Sequence, residues 1–136
     1  MDKKFKVEIY TPYGKYLQTE SDYLSVSTAM GVIGVLPNHA PLISTLEISK
    51  LILRNEKKES IYAISGGVIH IKKDHSVTLL VESIESQDEI DVNRALKAKE
   101  RAEERLQLHD EEIDIIRAKA SLARALNRIE VSGINK

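Results

Sequence analysis

Arginine is the residue type whose placement in this chain most favours a binding site. Six of the seven arginines lie in the last third of the sequence, whereas most lysines lie among the first 85 residues. The guanidinium group carries a planar set of donors that suits carboxylates and phosphates, while the lysine ammonium is a flexible point charge. The last third is therefore where we expect an anion site. These arginines are Arg94, Arg101, Arg105, Arg117, Arg124 and Arg128.

The spacing of these arginines permits two interpretations. Arg94 and Arg101 are seven residues apart, so on a helix they lie nearly on one face. Arg117, Arg124 and Arg128 follow the same rule, and two helices folded together could bring both rows to one nucleotide or phosphate groove. On a charged helix, however, arginines more often pair in solvent with acidic residues one turn away. The spacing alone leaves that second explanation as the commoner one.

The segment before the arginines predicts β-structure. Phe5, Val7 and Ile9 alternate with polar residues, which is the period of a strand with one buried face. Similar runs follow, separated by turn residues, and a rigid loop containing two prolines is expected at residues 37–41. Short strands at this spacing predict an antiparallel sandwich or barrel. Further strands are expected at residues 23–27, 46–54, 61–65, 68–72 and 77–81, with a turn at Gly66 and Gly67.

Past residue 86 the period becomes that of a helix. Residues 86–89 fit a capping box and Asp91 is itself a plausible N-cap, so a helix should begin in this run. Residues 107–110 interrupt the pattern, and Asp110, Glu111 and Glu112 suit the start of a second helix. The expected stripe of the first helix is Val92, Ala95, Ala98 or Lys99, Ala102 and Leu106. The expected faces of the second are Ile113, Ile116, Ala120, Ala123 and Asn127, and beside it Ile115, Leu122, Leu126 and Ile129.

These patterns predict a β-sandwich N-terminal domain, residues 1–86, followed by an antiparallel two-helix hairpin, residues 87–136. The facing residues of the hairpin are largely alanine, which bury little apolar area, so we expect a weakly held, movable arm. A helical cap packed firmly on the sandwich is the alternative.

Composition excludes several classes of protein. The net charge is −1, which argues against a general nucleic-acid surface. There is no cysteine, so a disulfide scaffold, a thiolate zinc site and a cysteine nucleophile are excluded. No apolar run approaches the roughly 20 residues of a membrane span, and the N-terminus lacks the apolar core of a signal peptide. We expect a protein of the cell interior.

The sequence contains no convincing catalytic constellation. His39, His70, His75 and His109 lack the spacing of a metal site, and no phosphate-binding or nucleophile motif is present. Ser65 before two glycines is better explained by a strand turn than by a nucleophile. We therefore expect neither a metal site nor an enzyme.

Four short segments carry a resemblance to a known family. They are residues 34–42 (GVLPNHAPL), 64–68 (ISGGV), 90–95 (IDVNRA) and 125–129 (ALNRI). With their order and spacing, the chain resembles the epsilon subunit of bacterial F-type ATP synthase over nearly its whole length. The resemblance implies a non-catalytic subunit that couples rotation and regulates ATP hydrolysis. A free-standing ATP-binding sensor or adaptor with the same architecture is the alternative.

The resemblance also implies a regulatory ATP site in the folded hairpin. Some members bind ATP through an Ile/Leu-Asp-x-x-Arg-Ala motif and later arginines. Glu85 and Asp91 would then contact the adenosine part, and ATP would be the one ligand, without a metal. The implied site residues are Glu85, Ile90, Asp91, Arg94, Ala95, Arg101, Arg124 and Arg128.

The partners implied are the gamma subunit and the ring of c subunits, which the sandwich would contact near Val32, His39 and Pro41. The extended arm would face an acidic region of the catalytic beta subunits, at the cytoplasmic face of the cell membrane as part of the complex. This chain departs from the family twice. Asn38 replaces a glycine, whose positive φ asparagine can adopt. Val32 replaces an acidic residue, which removes the usual polar contact to the c-ring.

Overall fold

Two compact units, Met1–Ser86 and Gln87–Lys136, make up the chain in the computed structural model. The structure describes residues 3–108 and 112–134. The strands described lie in the first unit and the α-helices in the second. Within the described ranges, no helix is long and apolar enough to cross a bilayer.

The first unit is a β-sandwich whose strands form one continuous hydrogen-bonded sheet. The strands are β1 (Phe5–Thr11), β2 (Gly14–Ser21), β3 (Tyr23–Thr28), β4 (Gly31–Val35), β5 (Leu42–Asn55), β6 (Lys58–Ile71), β7 (Val77–Val81) and β8 (Ile84–Ser86). Neighbours follow the order β2-β1-β7-β6-β5-β3-β4, with β8 paired to β6. The long strand β6 takes part in both layers, because residues 62–64 pair with β8 and residues 67–71 with β7.

Large aliphatic side chains fill the space between the two layers. On β6 and β7 the inward positions alternate along the strand, as Ile69, Ile71 and Leu79 show by being completely buried. This period-2 burial is what the sequence predicts, and the predicted sandwich is confirmed. The largest fully buried side chains in this unit are Ile9, Leu24, Leu51, Ile64, Ile69, Ile71 and Leu79.

The predicted turn at Gly66 and Gly67 is wrong. Strand β6 continues through both glycines, whose φ values are 79° and 137°. A Cβ built on Gly67 would lie 2.0 Å from the carbonyl oxygen of Leu80, so only glycine permits this approach of two backbones. The two glycines mark the point at which β6 changes its partner from β8 to β7.

One strand pair departs from the predicted antiparallel arrangement. Strand β1 pairs in parallel with β7, with Val7 opposite Val77 and Tyr10 opposite Leu80. A tight turn forces consecutive strands to run antiparallel, but β1 and β7 are far apart in the chain and carry no such constraint. The turn signals of the sequence therefore could not predict this pair.

The second unit contains a 3-10 turn (Gln87–Glu89) and the helices α1 (Val92–Leu108) and α2 (Glu112–Gly133). Of the two predicted starts for the first helix, Asp91 is the correct one. Its Oδ1 accepts the N–H of Arg94 at 3.1 Å, and its carbonyl accepts the N–H of Ala95 at 3.0 Å. This is N-cap geometry. The predicted helix-starting residues Asp110 and Glu111 lie outside the described residues.

Alanines line the seam along which α1 and α2 pack. Ala95 and Ala102 of α1 are buried and seven residues apart, and so are Ala118 and Ala125 of α2. Because few residues connect residue 108 to residue 112, the helices run antiparallel. Counting equal numbers of residues from this connection, we infer that Ala102 lies opposite Ala118 and Ala95 opposite Ala125. The predicted alanine-lined hairpin is confirmed.

The first face predicted for α2 points away from the seam. Its member Ile116 is 61% exposed and Ala123 is also exposed, whereas the unpredicted Ala118 and Ala125 are buried. Apolar residues occupy much of the circumference of α2, so hydrophobic period alone could not fix its rotation. Close packing selects the small side chains for the contact instead.

Candidate functional site

The arginines of α1 and α2 lie on one side of the helical pair. Arg94 and Arg101 directly precede the seam residues Ala95 and Ala102, so each is rotated by about 100° from the seam. Arg117 and Arg124 directly precede Ala118 and Ala125 in the same way. In antiparallel helices, equal rotations from facing residues point to the same flank.

The other two arginines of this region belong to the same flank. Arg105 lies three positions after Ala102, and Arg128 lies three positions after Ala125. Three residues turn the helix by about 300°, which is the same as 60° in the opposite direction. A residue three positions after a seam alanine therefore points to the same side as the residue directly before that alanine. All six arginines of the unit are therefore on one side, which we name the arginine flank. The predicted convergence of the two rows agrees with this helical geometry.

The opposite flank is mainly aliphatic. Leu96 and Leu126 each follow a seam alanine and are partly exposed. A residue directly after a seam alanine is rotated by about 100° in the direction opposite to that of the arginine directly before it. The alanine seam thus separates the arginines from most of the aliphatic side chains, although Lys99 and Lys119 lie on the aliphatic flank. The aliphatic residues of this flank are Leu96, Leu106, Ile115, Leu122, Leu126 and Ile129.

Along the helices the arginines form two groups. With Ala95 opposite Ala125, Arg94, Arg124 and Arg128 fall within about 6 Å of one another in height, at 1.5 Å per residue. The second group, Arg101, Arg105 and Arg117, lies about 10 Å further toward the connection between the helices. Three of the arginines that the resemblance implies for ATP fall in the first group, whereas Arg101 falls in the second with Arg105 and Arg117, which the resemblance does not include.

Two of these arginines make contacts within their own helices. Arg101 Nε is 3.5 Å from the carbonyl of Lys97, and Arg124 donates to the hydroxyl of Ser121 at 3.2 Å. Each of these contacts engages one of the five N–H donors of a guanidinium group. Arg94 and Arg101 are exposed, while Arg124 and Arg128 are half-buried. The flank can therefore give charge-assisted hydrogen bonds to a phosphate or carboxylate.

The remaining motif residues have structural positions. Ile90 is buried, Asp91 caps α1 and Ala95 belongs to the seam, so this part of the motif sets where α1 begins. Glu85 lies in β8, in the first unit, opposite Ala63 of β6. The motif therefore places Arg94 in the first turn of α1.

Gln87 holds the open end of the hairpin, a role that the sequence does not indicate. Its side-chain amide donates to the carbonyl of Val131 at 3.0 Å and also to that of Ile134. Val131 lies in the last turn of α2 and Ile134 directly follows the helix, where carbonyls lack the N–H partner of a helix interior four residues on. Gln87 thus joins the segment before α1 to the end of α2, beside the group of Arg94, Arg124 and Arg128.

The predicted contact residues of the sandwich are accessible. Val32 on β4 is 72% exposed, Pro41 is exposed and His39 is half-exposed. Asn38 has a φ of 67°, the left-handed conformation expected where asparagine stands for glycine. Among the described residues no cluster of His, Asp and Glu has the composition of a metal site.

The chain matches both domains of one protein family. The "ATP synthase, Delta/Epsilon chain, beta-sandwich domain" matches residues 4–87, and the "ATP synthase, Delta/Epsilon chain, long alpha-helix domain" matches residues 88–133. The ATP synthase epsilon chain of Bacillus licheniformis is 41% identical over 130 residues, covering 96% of this chain and 98% of that relative. The epsilon chain of Halalkalibacterium halodurans is 43% identical, covering 93% and 96%.

A solved structure has the same fold. A chain in the mitochondrial ATP synthase of Euglena gracilis, determined with OSCP, F1 and the c-ring, superposes with a TM-score of 0.84 at 23% identity. The match covers 93% of this chain and 80% of that one. The chain belongs to the ATP synthase delta/epsilon chain family and is a non-catalytic subunit of the F-type enzyme, as the sequence predicts.

Proposed function

We propose that this subunit works in the central stalk, where it couples rotation to catalysis and regulates ATP hydrolysis by binding ATP on the arginine flank. The observation that carries the proposal is the placement of all six arginines of the helical unit on one side of an alanine seam. Solvated ion pairing would not require that all arginines share one flank. A polyanionic ligand would.

ATP fits the first group of arginines best. Arg94, Arg124 and Arg128 lie close enough in height to contact one triphosphate, and Arg101 extends the same row. Asp91 Oδ1 is engaged by the N–H of Arg94, which leaves Oδ2 for the adenosine. The contact of Glu85 with the adenosine remains a prediction. No general base or nucleophile accompanies these residues, so ATP is a ligand here and not a substrate.

Binding of ATP would act as a latch on the hairpin. A ligand that binds only the folded hairpin stabilises it by RT ln(1 + [L]/Kd), about 1.4 kcal/mol at ten times Kd. That energy is small for a whole domain. It would change the ratio of the folded to the extended hairpin about tenfold. That is sufficient to act as a latch where the contact between the helices is made by alanines. At low ATP the arm would extend more often, face acidic residues of the catalytic beta subunits and inhibit hydrolysis.

The sandwich would attach the subunit to the gamma subunit and to the c-ring. Val32, His39 and Pro41 are the proposed ring contact, and their exposure supports this assignment. Because Val32 is aliphatic, the ring contact at this position would be apolar in place of the usual polar one. The subunit would sit at the cytoplasmic face of the membrane and touch the membrane only through the complex.

Calorimetry of the isolated chain tests the ATP site. We expect the wild type to bind ATP and Arg128→Ala to bind about one to two decades more weakly, the value of a lost charge-assisted hydrogen bond of about 1.5–3 kcal/mol. Arg128→Lys keeps the charge but not the planar donors, so it should recover only part of the affinity. Arg105→Ala removes the same charge from the other group and is the matched control. Equal affinities for all four proteins would eliminate the site.

Energy transfer tests the latch. The chain has no cysteine, so Ser27→Cys and Gly133→Cys, at accessible positions on β3 and at the end of α2, can be labelled specifically. In the reconstituted complex, transfer should change with ATP across the range around Kd, and the Arg128→Ala background should shift that range upward. A constant transfer efficiency from far below to far above Kd would show that ATP binds without controlling the arm.

A further inference from the structure

The loop of residues 36–41, which carries His39 and Pro41, has few bonds of its own. Pro37 and Pro41 have no backbone N–H to donate. The N–H of His39 donates to the carbonyl of Leu36 at 3.2 Å, and His39 Nδ1 lies 2.7 Å from the carbonyl of Ala40. Both of these contacts are internal to the loop, so they shape it without attaching it to the sandwich.

One side chain from a distant turn bonds to this loop. His75 Nδ1 lies 3.0 Å from the carbonyl oxygen of His39, across a separation of 36 residues. A carbonyl only accepts, so Nδ1 of His75 is the protonated nitrogen. This tautomer donates the hydrogen bond that ties the loop to the sandwich.

The turn between β6 and β7 is built to present that ring. The N–H of His75 donates to the carbonyl of Lys72 at 2.9 Å, and the N–H of Lys72 donates to the carbonyl of Ser76 at 2.9 Å. Asp74 Oδ1 accepts both the N–H and the hydroxyl of Ser76, at 3.0 and 2.6 Å. His75 itself has a φ of 72°, a conformation that β-carbon-bearing residues adopt only when their surroundings favour it.

We propose that His75 is a positioning residue for the ring contact. Its hydrogen bond holds the loop of residues 36–41 in place. The loop therefore does not shift when rotation is transmitted through His39 and Pro41. This inference rests on the proposed contact between that loop and the c-ring. His75 need not touch the ring, because it acts through the carbonyl of His39.

Two substitutions separate the bond from the backbone conformation. His75→Gly permits the positive φ and removes the donor, whereas His75→Asn also tolerates positive φ and places an amide nitrogen on Cγ, where the histidine has Nδ1. In hydrogen exchange on the full chain, the amide of His39, which donates to the carbonyl of Leu36 within the loop, should exchange about fivefold faster in His75→Gly, the value of one lost hydrogen bond. His75→Asn should recover the slow exchange, and His70→Ala, an exposed histidine of β6, should match the wild type.

The functional measurement is the ratio of proton pumping to ATP hydrolysis in the reconstituted complex. His75→Gly should lower this ratio severalfold, and His75→Asn should restore it. A variant that is only less stable would have a lower melting temperature and an unchanged ratio of proton pumping to ATP hydrolysis. Pro41→Asp, which puts a charge into the proposed contact, shows whether the loop meets the ring.

The outcomes distinguish the contact between the loop and the c-ring from the positioning role of His75. If Pro41→Asp lowers the ratio and His75→Gly does not, the ring contact stands and the positioning role is wrong. If neither changes the ratio, the loop does not carry coupling and both are wrong. Unchanged exchange of the His39 amide in His75→Gly would overturn the positioning role by itself.

Discussion

The β-sandwich and the helical pair bury different kinds of side chain. Between the layers of the sandwich, leucine, isoleucine and valine are completely enclosed, for example Leu24 and Leu79. At the helical seam the buried pairs are alanines. A buried leucine or isoleucine contributes about 1.5–3 kcal/mol relative to its exposed state, and alanine much less. The alanine pairs of the seam therefore contribute less free energy of burial than the large side chains in the core of the sandwich.

This difference fits the proposed function, in which one subunit would both transmit force and respond to a ligand. A part that carries torque must keep its shape, and large interlocked side chains resist deformation. A part that responds to ATP, as we propose for the hairpin, would need to be movable by about 1.4 kcal/mol, the energy that a ligand supplies at ten times Kd. A seam of alanines in place of leucines lowers the free energy of the contact between the two helices toward that value.

The largest expected effect is in the core of the sandwich. Ile69→Ala deletes a side chain that is 0% exposed and should lower the free energy of unfolding by about 2–5 kcal/mol. Ile43→Ala is the matched control, since Ile43 is on the neighbouring strand and 69% exposed. Urea denaturation of the full chain measures both. Equal losses would mean that the sandwich is not the rigid unit.

The same contrast predicts that residues 1–86 fold without the arm. Their strands supply nearly all the large buried side chains. The isolated fragment should show a cooperative thermal transition near that of the corresponding unit in the full chain. A fragment that melts without cooperativity would make the hairpin part of the core and abolish the distinction.

A smaller effect is expected at the start of α1. Asp91→Ala removes the carboxylate that accepts the N–H of Arg94 and should destabilise the helix by about 1 kcal/mol. Asp88→Ala, an exposed acid in the preceding 3-10 turn, removes the same charge without removing the cap. Helical content by circular dichroism, followed through thermal melting, should fall earlier in the first variant only. Identical curves would contradict the capping role.

The smallest effect concerns pH and the surface of the sandwich. The Tyr10 hydroxyl donates to Glu8 Oε2 at 2.5 Å and thereby holds the pKa of that carboxyl below its usual range. A carboxyl pKa that is lower in the folded chain stabilises it above the unfolded value of about 4.3, and this stabilisation is lost as the pH falls through the lowered pKa.

Tyr10→Phe should therefore melt slightly below the wild type at neutral pH, and this difference should disappear as the pH falls through the lowered pKa of Glu8. The phenylalanine ring still offers a face to Lys15, whose Nζ lies 5.8 Å from the ring centroid. Tyr13→Phe, at a side chain that is almost fully exposed, is the control. A Tm difference that persists at low pH would trace the effect to packing and not to the carboxylate.

Local pattern was sufficient for much of this protein. Alternation of apolar residues predicted most strands and the sandwich, the change of period located the helices, and Asp91 marked the start of α1. Four short segments predicted the family. These features depend on neighbours in the chain, through turn chemistry, capping and side-chain period, so a single sequence contains them. Strands β2, β4 and β8 were not predicted, because β2 is largely polar, β4 contains two glycines and β8 has only three residues.

Only the tertiary structure decided which distant residues meet. The parallel pairing of β1 with β7, the passage of β6 through Gly66 and Gly67, and the bond from His75 to the His39 carbonyl all join segments that no local pattern relates. The rotation of α2 belongs to the same class, because its apolar residues surround much of the helix and packing against α1 selected Ala118 and Ala125. The sequence determined which side chains could be buried. Backbone approach and packing determined which residues they contact.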